Sequence, residues 1–237
     1  MFHPQGPTFF ELARQALSST ERGYDLLAPK FDYTPFRTPG LVLDCIPSQL
    51  GEANSIESAL DVCCGTGAGM QMLRPLVRDR LAGIDMSQGM LAVAEQNLAQ
   101  HPGDARLEFV RGDALALPFK NEFDLAVCFG AHGHILPRDE DRFIEQIAIA
   151  LKPGGRFLFV SGYLPPVWHP QWWLSRGFNA AMRVRNLLIS PPFIMYYLTF
   201  LLPDVEQKLI KHGFSVEVRS GVFSRIGGLK LVIATLR

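Results

Sequence analysis

Three aspartates, three glycines and two histidines carry the chemistry open to this chain. The run Ala59-Leu-Asp-Val-Cys-Cys-Gly-Thr-Gly-Ala-Gly69 reads as an apolar strand entering a turn and then a helix. Gly65, Gly67 and Gly69 permit tight turning and let a ligand reach backbone amides. A plain tight turn uses glycine in the same way, so the spacing and the neighbours matter. The pattern is G-x-G-x-G, whereas dinucleotide sites carry G-x-G-x-x-G. Asp61 lies inside the strand, four positions before Gly65. A carboxylate there suits a ligand with a cationic amino group and repels a pyrophosphate.

Asp85, in Gly83-Ile-Asp85-Met-Ser, ends the next apolar run, 24 positions beyond Asp61. In doubly wound sheets an acid at this place accepts from ribose hydroxyls; the alternative is a carboxylate facing the dipole of the following helix. Asp113, in Arg111-Gly-Asp113-Ala-Leu-Ala-Leu-Pro-Phe119, can accept from an adenine amino group, with the apolar residues after it as a wall for the ring. His132 and His134 follow a fourth apolar run, where a neutral imidazole can take a proton from an acceptor group. They can equally line a pocket or cap the next helix. Two histidines without an evident third ligand make no metal site.

The elements that must position these residues alternate. Strands are predicted at Ala59–Cys64, Leu81–Asp85, Leu107–Arg111, Phe123–Phe129 and Arg156–Ser161, with helices at Gly69–Arg78, Gln88–Gln100 and Arg138–Leu151. Ser87 is the expected N-cap of the second of these helices, and Met90, Leu91, Ala94 and Leu98 its apolar face. Such alternation implies a parallel sheet covered on both faces. A helix at Asp204–His212, stopped by Gly213, precedes strands at Phe214–Arg219 and Leu229–Thr235, which would leave the last strand antiparallel. Before the core, residues 1–57 carry helical stretches around Phe9–Leu17, Arg22–Leu27 and Leu41–Leu50.

The ordered set of Asp61-Val-Cys-Cys-Gly-Thr-Gly-Ala-Gly69, Gly83-Ile-Asp85, Gly112-Asp113-Ala-x-x-Leu-Pro-Phe119, Phe123-Asp-Leu-Ala-Val and Leu151-Lys-Pro-Gly-Gly155 resembles the class I S-adenosylmethionine-dependent methyltransferases. It is most similar to the branch related to ubiquinone and menaquinone biosynthesis methyltransferases. Tyr24-Asp-Leu-Leu-Ala-Pro-Lys-Phe31-Asp32 resembles the Y-D-x-x-A-x-x-Y-D stretch of that branch, with Phe31 in place of tyrosine. The resemblance, which covers about residues 20–161, implies an α/β, Rossmann-like doubly wound sheet with a cofactor-binding core at 58–161, and the length of 237 residues suits a single domain, residues 1–237. It implies S-adenosylmethionine as cofactor, held by Asp61, Gly65, Thr66, Gly67, Gly69, Asp85, Met86, Asp113, Ala114 and Phe129. The fourth strand ends without the Asn-Pro-Pro-Tyr-like motif of base methylases and without a carboxylate for Mg²⁺, so a metal is not expected.

The expected reaction is methylation of a small, apolar acceptor at oxygen or carbon, with His134 as a candidate base. His132, Trp172 and Tyr196 are the candidate acceptor-site residues. The alternatives are an NAD(P)-dependent oxidoreductase and a non-catalytic S-adenosylmethionine-binding regulator. Lys+Arg and Asp+Glu are both 23, so no net charge draws the chain to nucleic acid. Four cysteines without a CxxC pair read as buried thiols in a reducing cytoplasm, and no secretory signal opens the sequence. Residues 163–203, rich in aromatics, read as a lid over the methyl-transfer site, or else as a peripheral membrane contact or subunit interface. Within them Leu187–Leu202 has sixteen residues without a charge, too few to span a bilayer and interrupted by Pro191 and Pro192.

Overall fold

A computed structural model describes residues 3–224 and 226–237. Helices α1 (Phe9–Ala16), α2 (Thr20–Leu27), α3 (Gly40–Leu43) and α4 (Pro47–Leu50) come first, with a 3₁₀ turn at Ala28–Tyr33. The single helix expected at 41–50 is thus split, because Pro47 has no N–H to continue α3 and instead opens α4. The core follows as β1 (Ile56–Val62), α5 (Ala68–Leu73), β2 (Val77–Asp85), α6 (Gln88–Ala99), β3 (Arg106–Arg111), β4 (Phe123–Cys128), α7 (Glu140–Ala150) and β5 (Leu151–Gly162). The chain ends with α8 (Pro170–Leu188), α9 (Asp204–Lys211), β6 (Phe214–Arg219) and β7 (Leu229–Leu236). The helix expected to reach Arg78 stops at Leu73, ahead of Pro75, and residues 77–78 already belong to β2.

Seven strands form one sheet in the order β3-β2-β1-β4-β5-β7-β6. The first five are mutually parallel, and β7 runs antiparallel to both β5 and β6. This is the expected doubly wound sheet with an antiparallel last strand. Both faces of β1 are covered, since Leu60 and Val62 join one apolar cluster and Ile56 and Ala59 the other. Chain order reverses between β1 and β4. Open α/β sheets bind ligands at that point, beyond the carboxyl ends of the strands. The residues that end β1, β2 and β4 therefore share one edge.

The position of α6 follows from its sequence. Ser87 Oγ accepts from the Met90 amide at 3.1 Å, and Met90, Leu91, Ala94 and Leu98 are all buried, as expected. Of the apolar stretch 187–202, only its first two residues are helical. Among the described residues no helix is long and apolar enough to cross a membrane.

Candidate active site

The turn after β1 sets the site's geometry. Cys63, Gly65 and Gly67 take positive φ (58°, 53° and 85°), which folds the backbone back over the strand ends. Gly69 lies opposite Asp61, and a Cβ on it would come within 2.4 Å of Asp61 Oδ2. The absent side chain is what makes room for the carboxyl. Asp61 is buried, and burial pushes its carboxyl well above the usual carboxylate range. Its Oδ2 has no hydrogen-bond partner among the described residues. A buried carboxyl with an unpartnered oxygen is costly unless a ligand completes it.

Asp85 accepts from the Gly65 amide through Oδ2 and from the Ser87 amide through Oδ1, both at 2.9 Å. Burial raises its carboxyl and these two amides partly restore it. Asp113 accepts from the Leu115 amide at 2.9 Å. Asp61, Gly65, Thr66, Gly69, Asp85, Met86, Asp113, Ala114, Phe129 and His134 line one cavity of about 310 Å³.

Four expected site residues lie elsewhere. Gly67 does not line the cavity; its missing Cβ lets the turn pack on α6, where a methyl group would meet Leu98 Cδ2 at 2.7 Å. His132 is buried flat against Phe200, with ring centroids 4.4 Å apart and planes 3° apart, between the edges of Phe143 and Phe159. The turn His132–His134 is 3₁₀, so rings two residues apart point about 120° apart, one to the core and one to the cavity. Trp172 sits on α8 between Trp173 and Arg176, outside the cavity lining. Tyr196 meets the site's supporting turn through its backbone, donating to the Gly133 carbonyl at 2.8 Å, while its hydroxyl accepts from Asn186 Nδ2 at 3.2 Å. The cysteines are all free thiols, but Cys45 and Cys63 are partly exposed where burial was expected.

Several cavity residues had no site role assigned from the sequence, Tyr24 and Phe31 of the resembling stretch among them. Tyr24 and Thr20 come from α2, Phe31, Phe36, Arg37 and Thr38 from the stretch after it, and Ile194 from the segment after α8. Two aspartates of the Tyr24–Asp32 stretch explain how that wall is held. Asp25 Oδ1 accepts from Ser87 Oγ at 2.6 Å and from the Gly89 amide at 2.9 Å, tying α2 to the start of α6. Asp32 accepts from Thr66 Oγ1 at 2.6 Å and from Asn97 Nδ2 at 3.2 Å, tying the glycine turn to the same helix. The hydroxyl of Thr66 is thus already engaged.

His134 connects three parts of the chain. Its Nδ1 is 2.5 Å from the Ile194 carbonyl, which can only accept, so Nδ1 carries the proton. Nε2 then accepts from the Tyr24 hydroxyl at 2.8 Å. Burial lowers the His134 pKa, so the ring is neutral at pH 7, and burial raises that of Tyr24.

Residues 59–155 match the family model described as a methyltransferase domain. A demethylmenaquinone methyltransferase of Clavibacter sepedonicus is 37% identical over 113 residues, 47% of this chain and 43% of that protein. Its counterpart in Lactiplantibacillus plantarum is 35% identical over 127 residues, 49% of this chain and 52% of that protein. The chain therefore spans about half the length of the curated relatives it matches. The solved DhpI–SAH complex superposes with a TM-score of 0.65 at 18% identity, over 96% of this chain and 98% of that one, a likeness of fold.

Proposed function

We propose that this chain, whose residues 59–155 form a class I S-adenosylmethionine-dependent methyltransferase domain, transfers a methyl group to a small apolar acceptor. The observation that carries this reading is the buried, unpartnered Oδ2 of Asp61 in a cavity that Asp85 and Asp113 also line. The donor set fits the cofactor. Asp61 would hold the cationic amino group, Asp85 the ribose hydroxyls and Asp113 the adenine amino group, with Met86, Ala114 and Phe129 as apolar surface. When bound, S-adenosylmethionine supplies an electrophilic methyl group on a positively charged sulfur.

The residues of this chain then align the acceptor, exclude water and take its proton. An acceptor hydroxyl at the Tyr24 side of the cavity would give its proton to Tyr24 Oη as the Tyr24 proton moves to His134 Nε2. That step raises electron density on the acceptor, whether oxygen or a ring carbon is then methylated. His134 thus acts through Tyr24. Ile194 would cover the acceptor side, which gives residues 163–203 a lid role on their inner surface. The family match lends no support to an oxidoreductase or to a non-catalytic regulator.

The test is transfer of labelled methyl from S-adenosylmethionine to a panel of lipophilic hydroxylated acceptors, with S-adenosylhomocysteine and NAD(P) binding measured in parallel. Binding of NAD(P) alone, or no turnover with any acceptor, overturns the reading. Asp85→Ala removes charge-assisted hydrogen bonds worth roughly 1.5–3 kcal/mol, so S-adenosylhomocysteine affinity should fall about ten- to a hundred-fold. Unchanged affinity in a folded variant removes Asp85 from the ribose site.

A further inference from the structure

Helix α8 is inside out. Trp173, Leu174, Leu187 and Leu188 are 65%, 74%, 85% and 79% exposed. Positions 173, 177, 180, 184 and 187 recur at spacings of four and three, and 174, 181 and 188 lie beside them, so they share one face. Every residue on it is apolar or glycine, and every one is exposed. On the face turned to the protein the two buried residues are polar, Ser175 and Asn179, with Asn186 half-buried among Trp172, Phe178 and Met182. Asn179 brackets the Tyr197 backbone with two bonds of 2.8 Å, and Asn186 brackets Phe193 with bonds of 3.0 and 2.9 Å. These amides spend their polarity inward, so the apolar stripe is not a core face that missed its partner.

The stripe has neighbours of one chemical kind. Arg185 donates to the carbonyls of Ala16 and Ser18, each at 2.8 Å, and so holds the end of α1 against α8. Helix α1 is inverted too, burying Gln15 while Phe9 and Phe10 stand exposed. Residues 163–203 contain three arginines and neither aspartate nor glutamate. Arg176 and Arg183 are exposed along one border of the stripe.

We propose that the outer faces of α8 and α1 form a contact with the surface of an anionic lipid bilayer, with both helices lying in the interface plane. Aromatic and leucine side chains enter the acyl boundary, and Arg176 and Arg183 meet lipid phosphates. The charge pattern favours lipid over a second copy of the chain, since two such stripes facing each other would juxtapose only arginines. The segments that follow α8 and α1 meet at the cavity, where Ile194 donates to Thr20 Oγ1 at 2.7 Å and both residues line it. A contact there would bring the site described above to the surface that dissolves an apolar acceptor. That last point rests on the proposed function; the lipid contact itself does not.

The test is sedimentation of the full chain with phosphatidylcholine vesicles, with and without phosphatidylglycerol, at low and high salt. Binding is expected to the anionic vesicles and to weaken with salt. Trp173→Glu with Leu187→Glu should weaken it at least ten-fold. Arg176→Gln with Arg183→Gln should weaken it about twenty-five-fold, from about five-fold per basic residue at an anionic surface. All these side chains are on the outer face or its border, so S-adenosylhomocysteine affinity is the folding control and should not move. Three results overturn the proposal: no vesicle binding by monomeric wild type, equal binding by the variants, or a stable dimer in solution that the Glu variants dissolve. Loss of cofactor binding in the wild type would sink the methyltransferase reading and leave the vesicle result intact.

Discussion

Asp61→Asn should make the ligand-free protein more stable while all but abolishing cofactor binding. The two effects have one cause. Burial raises the Asp61 carboxyl well above its ordinary value, so the folded state at neutral pH either holds a proton that the unfolded chain would release or strands a charge. A carboxyl raised in this way contributes full stability only below its unfolded pKa, and that contribution is lost as pH rises through the folded one. The amide cannot ionise, so the melting temperature of the variant at pH 7 should exceed that of the wild type, and the gap should close in acid. With ligand the sign reverses. A cationic amino group beside Asp61 completes Oδ2 and pulls its pKa down, so binding releases a proton and tightens as pH rises towards the free-state value. Breaking a buried charge pair costs roughly 3–5 kcal/mol, hence a loss of about two to three and a half orders of magnitude in affinity. Calorimetry in buffers of different ionisation enthalpy reads both the affinity and the proton. A variant that binds S-adenosylhomocysteine as the wild type does, or binding without proton release, would remove Asp61 from the methionine end.

What the sequence discloses is what local chemistry determines. The strand, glycine turn and helix around Asp61 were legible because apolar runs and positive-φ glycines are local signals. The α6 cap was legible because Ser87 meets an amide only three residues away. The wall opposite the glycine turn was not. Asp25 and Asp32 reach partners 34 to 65 residues distant, and no periodicity encodes such bonds. Ile194 carries no signal at all; its carbonyl matters only because the fold brings it to His134. The aromatic segment failed differently. Trp172 and Tyr196 were expected at the acceptor site because residues 163–203 read as an apolar lid, whereas α8 buries Ser175 and Asn179 and presents its apolar face outward, and the Tyr196 hydroxyl turns to Asn186. Period identifies the faces of a helix but not which one faces the core.

His134→Ala should lower turnover by about a hundred-fold or more and leave S-adenosylhomocysteine affinity within a few-fold. The geometry separates this loss from general damage. With Nδ1 fixed on the Ile194 carbonyl, Nε2 is an acceptor, and the hydroxyl 2.8 Å away belongs to Tyr24, which lines the cavity beside His134. Tyr24→Phe keeps the ring and its stacking on Phe193 but breaks the relay, so it should reproduce the loss in kcat with little change in cofactor affinity. The double variant should be no worse than either single one, because both remove the same proton path. Burial lowers the His134 pKa, so the neutral acceptor persists below the ordinary histidine range. The acid limb of kcat/KM should accordingly fall below pH 6.5, the usual value for histidine, and should disappear in His134→Ala. If the two single variants lose turnover additively, or the acid limb survives the loss of His134, the proton leaves by another route and Tyr24 and His134 serve only to shape the cavity.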